Sequence, residues 1–354
     1  MSATAQRPWS SVRTLMHPSR LLLAAAGAFL VAWPYLGADR FVLHVATLAL
    51  IWAVVASYWN LTNGFAGIVS LGNMGFFAIG AYTSAVLAKE LDLSPWVTMP
   101  LGALVTAALV TVLVGLPVLR LRGIYIALLT LAFADALPSV ITIFREWTGG
   151  GIGLLGIPEL LEGLEKWQAY YFALVFFALA EVALVWVIRG APGLAFVALR
   201  DSEAFAQALG VDRFKEGLRV FAISAFFTGF AGALYAHVLG QVSPAMLGIE
   251  QFLMVISMWM LGGAGTLLGP VLGAALITFG NEYLRVAGSL RLGLLGLAIV
   301  VTVLFFPGGI MQIVGRVRAR AVRLRASPDG SAREPAPVVA GGPAGVDPEA
   351  SEER

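Results

Sequence analysis

The stretch NGFAGIVSLGNMGFFAIGAYTSAVLA, residues 63–88, decides the fold class. It carries no charged side chain and is long enough to cross a bilayer as a helix. Five of its residues are nevertheless glycine, which weakens helices, and it also contains Asn63, Ser70 and Asn73. An apolar segment with this composition needs a physical explanation.

Two explanations fit these glycines. A continuous helix over residues 65–88 places four of them within one arc of about 140°, at about 100° per residue: Gly64, Gly67, Gly72 and Gly75. Small residues on one face let membrane helices approach closely. Alternatively, glycine and asparagine break the helix near SLGNMG, and the exposed backbone groups line a water-filled path. The two explanations can hold together.

Composition indicates that lipid is part of the solvent. Hydrophobic residues make up 59% of the 354 and charged residues only 12%, whereas soluble domains average about 25% charged residues. One soluble core cannot bury so much apolar surface, so a membrane must solvate it. The absence of cysteine excludes disulfides, thiol catalysis and cysteine-based metal sites. The net charge of +2 is too small to suggest a nucleic-acid partner.

The hydrophobic pattern predicts an all-α polytopic membrane protein with about ten transmembrane helices, some of them short or interrupted by glycine. Most spans have the length of about 17–25 residues that a bilayer requires, and the eighth is short. The predicted spans are 21–37, 41–61, 65–88, 95–118, 123–143, 168–188, 219–239, 249–262, 267–284 and 292–309.

Basic residues orient these spans. With the N-terminus in the cytoplasm, inside-facing segments up to Arg325 hold fifteen Arg and Lys residues and outside-facing segments hold six, as the positive-inside rule requires. An even number of spans returns the C-terminus to the cytoplasm. The chain then divides into a cytoplasmic segment (1–20), a transmembrane domain (21–310) with a long cytoplasmic loop (190–218), and a cytoplasmic tail (311–354). The tail is first basic, suited to anionic headgroups, and then disordered.

Two glycine-rich places are candidates for a solute path. One lies in the opening stretch, where polar and backbone-exposing residues interrupt apolar sequence: Ser70, Gly72, Asn73 and Gly75. The other lies in the predicted outer loop, where adjacent glycines can offer N–H groups to an anion or act as a hinge: Thr148, Gly149, Gly150 and Gly151. Paired Gly-interrupted segments often mark a transporter's site, and residues 62–80 and 261–274 form such a pair.

Few side chains within the predicted spans can do chemistry. Apart from Glu250 and Glu282 close to span ends, Asp135 and Glu181 are the only acids there, and an intramembrane acid is a functional candidate by default, although either can be a simple hydrogen-bonding group. The scattered histidines favour helix–helix hydrogen bonds over a metal site: His17, His44 and His237. No G-x-x-x-x-G-K-[ST] motif is present, so the sequence predicts no ATP-binding P-loop.

The long cytoplasmic loop contains a predicted short helix. Asp201 can cap a helix over residues 202–209, and Gly210 can end it in a left-handed conformation. Phe205 and Leu209 lie one turn apart and give this helix an apolar face. Such a helix can lie flat on the membrane surface, or it can dock into a groove on a soluble partner.

Five segments match a known pattern, in the same order along the chain. They are GFAGIVSLGNMGFFAIGAYTSA (64–85), LRGIYIALLTLAFA (121–134), TGGGIGLLGIP (148–158), RDSEAFAQALGVDRFKEGLRVFAISAFFTGFAGALYA (200–236) and GGAGTLLGPVLGA (262–274). Through them, roughly residues 40–310 resemble the permease subunits of branched-chain amino acid ABC importers of the LivM type.

The resemblance implies a multi-pass permease of the bacterial cytoplasmic membrane that is not itself an enzyme. Its implied partners, besides membrane lipid, are a second homologous permease subunit, two cytosolic ATPase subunits and an extracytoplasmic substrate-binding protein. ATP is used by the partner subunits, and no cofactor or metal is expected on this chain. The cytoplasmic loop looks like the family's coupling helix, which meets the ATPase, and the residues involved are Arg200, Asp201, Glu203, Phe205, Ala206, Leu209 and Gly210. Phe205 stands where the family commonly has a small residue.

The substrate and the driving force stay open at this point. The family also includes carriers of urea, short amides and aromatic acids, and its permeases pair with an identical or a different chain. An ion-coupled secondary transporter is the alternative function; it needs coupling acids or histidines, and only Asp135 and Glu181 offer themselves. An intramembrane enzyme is a third possibility, but the sequence has no paired-acid, Ser–Lys or metal signature.

Overall fold

The computed structural model describes residues 27–36, 39–118, 120–160 and 165–284, with five isolated positions between 293 and 311. Within this part the chain is helical apart from two short strands and the connecting loops. Three predicted segments lie wholly or mostly outside the described residues: the N-terminal segment 1–20, the last span 292–309 and the tail 311–354.

The first long helix, α1, spans Arg40–Asn60 and continues through a π-helical turn, Leu61–Phe65. Together they form a 26-residue apolar element, about 39 Å long at 1.5 Å per residue and therefore long enough to cross a bilayer. The second half of α1 is buried on all sides, which places it in the centre of the helix bundle.

The opening stretch is not one helix. The chain leaves the helical conformation over residues 66–72, and α2 spans Asn73–Glu90. The expected continuous helix over residues 65–88 is therefore wrong in its first two turns, and the four opening glycines do not share a helix face. Gly67 shows the physical reason, since its φ of +67° lies in the left-handed region and outside the helical range.

Nine further helices follow among the described residues. They are α3 (Pro95–Leu109, extended by a π-helical turn Val110–Gly115 and a last turn Leu116–Val118), α4 (Ile124–Ile143), α5 (Arg145–Thr148), α6 (Lys166–Arg189), α7 (Ala191–Asp201), α8 (Glu203–Ala208), α9 (Arg213–Leu239), α10 (Ile249–Gly262) and α11 (Gly269–Tyr283).

Helix α9 packs against α1, α2 and α3. Glycines allow its closest approach to α2: a methyl group at Gly80 would overlap the backbone of Gly229, and one at Gly232 would overlap the carbonyl of Phe77. Close backbone packing of this kind holds membrane helices together. Gly80, which lies outside the predicted arc of four glycines, thus serves close helix packing in the middle of α2.

A buried polar cluster ties α2, α3 and α9 together. The Nε2 atom of His237 lies 2.9 Å from Ser84 Oγ and 3.3 Å from Thr98 Oγ1, and Ser84 Oγ donates to Thr98 Oγ1 at 3.0 Å. The other ring nitrogen, Nδ1, lies 2.7 Å from the carbonyl of Pro158. The predicted helix–helix hydrogen-bonding role is thereby confirmed for this histidine.

A two-stranded ribbon closes one end of the bundle. Strand β1 (Leu154–Leu155) pairs antiparallel with β2 (Gln241–Val242), and Leu154 lies opposite Val242. Lys89, near the end of α2, donates from Nζ to the carbonyl of Leu155 at 3.2 Å. We call this the ribbon end. The opposite end, which carries α7, α8 and the start of α4, is called the loop end.

Five helical elements among the described residues are long and apolar enough to span a membrane: Arg40–Phe65, Pro95–Val118, Ile124–Ile143, Lys166–Arg189 and Arg213–Leu239. Helix α10 is apolar but shorter. The eight predicted spans that fall within the described residues each overlap a helix. The chain is thus a polytopic helical membrane protein, whereas the count of ten and the orientation of the termini stay predictions.

Candidate functional site

The break between α1 and α2 is held by side chains of α1 and of its π-helical turn. Asn63 Oδ1 accepts the backbone N–H of Ser70 at 2.8 Å, and Asn63 Nδ2 donates to the carbonyl of Ser70 at 3.2 Å. Trp59 Nε1 donates to the same carbonyl at 2.7 Å. The amide of Asn63 thus replaces the hydrogen bonds that a continuous helix would have supplied, which satisfies the exposed backbone.

The predicted path residues Ser70 and Asn73 both lie at this break, and both are buried. Asn73 is the first residue of α2, and its Nδ2 lies 3.4 Å from the carbonyl of Val55. The hydroxyl oxygen of Ser70 is buried and has no hydrogen-bond partner among the described residues. These two side chains therefore point into the bundle at the place where the α2 backbone starts.

The predicted path glycines at the break pack against α4. A methyl group at Gly72 would come within 2.9 Å of the Thr130 carbonyl, and one at Gly75 would lie 2.9 Å from Leu137 Cδ1. Thr130 Oγ1 also accepts the backbone N–H of Leu71 at 2.9 Å. Both glycines therefore serve close packing of α2 and its preceding loop on α4 in this conformation.

A second interruption lies between α10 and α11, at residues 263–268. Asn60, the last residue of α1, holds it: Asn60 Oδ1 accepts the N–H of Gly265 at 2.7 Å and Nε1–H of Trp259 at 3.0 Å. Asn60 Nδ2 donates to the carbonyl of Thr266 at 2.8 Å. The two Gly-interrupted segments paired by sequence are thus in contact, through a residue that sequence reasoning missed.

The predicted outer-loop residues form a separate place. Thr148 Oγ1 donates to the carbonyl of Ile141 at 2.6 Å and accepts the N–H of Gly150 at 3.3 Å. Gly149 and Gly150 have φ values of +72° and +58°, and the N–H of Gly149 donates to the carbonyl of Arg145 at 3.0 Å. These N–H groups are used inside the turn. Gly151 is exposed, and the whole group lies at the ribbon end, most of the length of α4 away from Asn73.

The loop between α6 and α9 contains two helices rather than one. Helix α7 ends at Asp201, and α8 begins at Glu203 with Ser202 as its N-cap, since Ser202 Oγ accepts the N–H of Phe205 at 3.4 Å. The prediction that Asp201 is the cap is wrong, because its carboxylate is engaged by Arg200 at 2.9 Å. The predicted left-handed end of the helix is confirmed, as Gly210 has a φ of +86°.

Helix α8 has one buried face and one exposed face. Ala206 is fully buried, whereas Phe205 and Leu209 are 65% and 68% exposed. Glu203 lies 3.6 Å from the guanidinium groups of both Arg122 and Arg213. These ion pairs fix α8 to the starts of α4 and α9, so that its apolar side chains project away from the bundle.

Asp212 caps the start of α9 at the loop end. Its Oδ1 accepts the backbone N–H of Phe214 at 2.9 Å and that of Lys215 at 3.2 Å. The Lys215 N–H is the main cause that holds the pKa of Asp212 below its usual value, with further help from Phe214 and from the Lys215 charge. The cap therefore remains charged at neutral pH and fixes the direction in which α9 leaves the loop.

Arg200 connects this loop to the break. Its Nη1 donates to the carbonyl of Gly64 at 2.8 Å, while Nε and Nη2 donate to Asp201 Oδ1. The stem of the same side chain packs against Gly67, where a methyl group would come within 2.5 Å of Arg200 Cγ. A cavity of about 640 Å³ opens beside it, between the break and the starts of α4 and α9. Arg200 thus joins the loop to the end of α1.

Metal chemistry has no support in the described part of the chain, where no group of three or more His, Asp or Glu side chains could hold an ion. Glu181 lies beside Ser57 of α1, turned into the protein, and Asp135 lies on an exposed face of α4. The two intramembrane acids therefore have different surroundings.

Sequence comparison gives the family. The family described as branched-chain amino acid transport system / permease component matches residues 41–313. The chain belongs to this permease family. The match contains the α1–α2 break, the second interruption and the whole loop from α7 to α9, so every place described above lies within the permease region.

Individual relatives agree with this assignment. The permease is 33% identical over 321 residues to the high-affinity branched-chain amino acid transport system permease protein LivM of Salmonella typhimurium, covering 83% of this chain and 75% of the relative. It is 32% identical to the LivM protein of Escherichia coli with the same coverage. An autoinducer 2 import system permease protein, LsrC of an Enterobacter species, is 28% identical over 57% of this chain and 65% of the relative. No solved structure matches the permease significantly.

Proposed function

We propose that this permease forms part of the path by which an ATP-driven importer carries branched-chain amino acids across the bacterial cytoplasmic membrane. Membership of the permease family and the LivM relatives support the class of protein and the substrate. The hydrogen bond from Arg200 to the carbonyl of Gly64 is the observation that carries the mechanism. This hydrogen bond joins the exposed loop to the interrupted segments, so a movement imposed on the loop by an ATPase subunit would reach them.

The motor is a pair of cytosolic ATPase subunits that dock on α8. The exposed side chains of Phe205 and Leu209 supply an apolar contact of the size expected for a helix seated in a groove. Aromatic and aliphatic anchors of this kind contribute most of the energy of an interface. The ion pairs of Glu203 hold α8 rigidly, so that a push on α8 reaches Arg200 without being absorbed by a flexible loop.

The solute path lies between this permease and a second, homologous permease subunit, and an extracytoplasmic binding protein delivers the substrate at the ribbon end. The break that carries Ser70 and Asn73 gates this path near the loop end, from the inner face of α4 on which it packs. Both side chains are buried in this structure. Thr148–Gly151 lie at the opposite mouth. ATP is bound and hydrolysed by the partner subunits, and this chain contributes only the gate and its part of the path.

The test is import into proteoliposomes that contain the whole complex. Wild-type complex should import radiolabelled leucine only when ATP is present inside, and leucine import that survives ATP depletion would instead favour an ion-coupled transporter. Arg200→Gln should lower the import rate about ten-fold, the effect of losing a hydrogen bond from a charged group, while ATP hydrolysis continues.

A matched control comes from the same region. Lys215 and its ion-pair partner Asp212 are both exposed at the start of α9, so Lys215→Gln should leave import unchanged. If Arg200→Gln and Lys215→Gln import equally fast, with equal amounts of assembled complex, Arg200 does not transmit the motion.

A further inference from the structure

Helix α4 presents an exposed row of side chains along its whole length. The exposed residues recur with spacings of three and four: Tyr125, Leu128, Ala132, Asp135, Ser139 and Thr142. Such spacing places them on one face of a helix. The row is apolar toward the loop end and polar toward the ribbon end.

The opposite face of α4 is the one that packs on the bundle. Ala127, Thr130 and Ile141 are buried, and Leu137 contacts the backbone near Gly75 of α2. The exposed row is therefore not a packing face for the described residues of this chain. It faces whatever surrounds the permease at this position.

Asp135 lies deep within the span. At 1.5 Å per residue it is about 16 Å from the first residue of α4 and about 12 Å from the last. Its carboxylate forms no hydrogen bond or ion pair with any described residue. A charged group at this depth is strongly unfavourable in lipid, so carboxylates there face a bundle interior or a water-filled cavity. The exposed row must therefore be covered by something polar.

The backbone beside Asp135 is polar as well. Pro138 has no N–H, so the carbonyl of Ala134 lacks its usual helical partner. Such freed carbonyls within a membrane need water or a neighbouring donor. Thr142 Oγ1 donates to the carbonyl of Pro138 at 2.8 Å, and the Thr142 side chain is exposed. The Asp135 carboxylate and the free Ala134 carbonyl thus come from neighbouring residues, and both accept hydrogen bonds.

We propose that the Asp135 face of α4 lines the solute path and that the Asp135 carboxylate binds the ammonium group of the transported amino acid. A cluster of acceptors with one negative charge is complementary to an ammonium group, which is a donor with three N–H bonds. The exposed Leu128 and Leu131 lie one to two turns away and offer an apolar surface for an aliphatic side chain. This inference rests on the proposed function, and it names the group that recognises the substrate within the membrane.

The first experiment measures leucine import by the full complex with Asp135→Asn, which keeps the shape and removes the charge. The import rate at saturating binding protein should fall about ten-fold, and Asp135→Glu should recover part of it. The matched control is Glu181→Gln, since Glu181 is the other intramembrane acid and faces the protein interior beside Ser57. It should import at the wild-type rate. Equal import by Asp135→Asn and wild type would overturn the inference and leave the proposed function intact.

The second experiment does not depend on import. The chain has no cysteine, so Asp135→Cys introduces the only thiol of this subunit. A small cationic methanethiosulfonate should modify it in the assembled complex, and excess leucine should slow the reaction. Leu179→Cys is the matched control, because Leu179 is 64% exposed on α6 and apolar residues surround it; this thiol should stay unmodified.

The outcomes separate the possible coverings of α4. Modification of Asp135→Cys but not Leu179→Cys supports a water-filled path. Protection of Asp135→Cys, together with loss of the second permease subunit from purified Asp135→Asn complex, shows that a partner side chain covers the carboxylate and overturns the inference. Failure of the wild-type complex to import leucine, with Asp135→Cys still modified, contradicts the proposed substrate and leaves Asp135 in the path.

Discussion

At the scale of single residues, Asn60 determines how the two interrupted segments meet. Its amide satisfies three groups of the α10 and α11 region, two donors and one acceptor, which lie about 200 residues further along the chain. A primary amide carries an acceptor oxygen and a two-proton donor nitrogen on separate atoms of one short side chain, so it can serve all three groups at once. Asn60 therefore specifies the position of the second interruption as well as stabilising it.

Asn60→Ala should destabilise the permease by about 3 kcal/mol, because each buried group left without a partner costs about 1 kcal/mol or more. The measurement is the thermal unfolding midpoint of the purified complex in detergent. Asn281→Ala is the control, since the Oδ1 atom of Asn281 has no partner among the described residues, and it should lower the midpoint much less. Equal midpoints for the two variants would contradict the role given to Asn60.

Gly210 decides how α8 ends. Its φ of +86° is a left-handed conformation, and open space surrounds it, so a substitution acts on the backbone alone. Gly210→Val should cost about 1–2 kcal/mol and misdirect the chain into α9, while Gly210→Asn should be tolerated because asparagine adopts this conformation readily. Leucine import normalised to assembled complex is the measurement. Normal import by Gly210→Val would remove the end of α8 from the mechanism.

At the scale of helices, glycines have two different roles in α2. Gly80 meets the backbone of Gly229, which cannot move aside, whereas Gly75 meets the end of the flexible Leu137 side chain. Gly80→Ala should therefore cost about 3 kcal/mol, the upper range for overpacking, and Gly75→Ala about 1 kcal/mol or less.

Unfolding midpoints and import rates of these two alanine variants test this difference. A larger loss of stability for Gly75→Ala than for Gly80→Ala would contradict the packing described here. Slow import by a stable Gly75→Ala complex would show, in addition, that the start of α2 must flex during transport.

The helices also show what sequence could and could not predict. Of the ten spans expected from apolar runs, eight fall within the described residues and each overlaps a helix, because a backbone in hydrocarbon must satisfy its own hydrogen bonds. The break at residues 66–72 was predicted only as one of two explanations. Sequence did not show that the Asn63 side chain could replace the lost helical hydrogen bonds, because an asparagine in an apolar segment fits a continuous helix as well. The cap of α8 was misplaced by one residue because Arg200 competes for Asp201.

At the scale of the whole molecule, the orientation follows from basic residues and remains to be measured. The excess of Arg and Lys at the loop end predicts that this end lies in the cytoplasm. Leu209→Cys at the loop end and Ile152→Cys near the ribbon end are both well exposed, at 68% and 79% in the native side chains. In intact cells, a membrane-impermeant maleimide should label Ile152→Cys and leave Leu209→Cys unlabelled. The reverse pattern would invert the topology.

Contacts between segments that are distant in sequence could not be predicted from the sequence. The pairing of the two interruptions was suggested by their similar composition. Asn60, which bonds the second interruption, and Thr130, which bonds the α1–α2 break, look like ordinary polar residues in apolar helices. Their partners lie 206 and 59 residues away, respectively. A local pattern carries no information about such a partner, whereas packing of the folded bundle determines it.

The ribbon has a mechanical consequence. Because β1 and β2 fasten the outer loop to the end of α9, any tilt of α9 has its pivot there, and the 27-residue helix becomes the lever arm. At about 40 Å in length, a tilt of about 5° displaces the far end by about 3.5 Å, enough to separate a hydrogen-bonded pair there such as Arg213 and the carbonyl of Leu121. A disulfide between Leu154→Cys and Val242→Cys should therefore leave import intact, since a pivot does not open; arrest of import on oxidation would show that the fulcrum lies elsewhere.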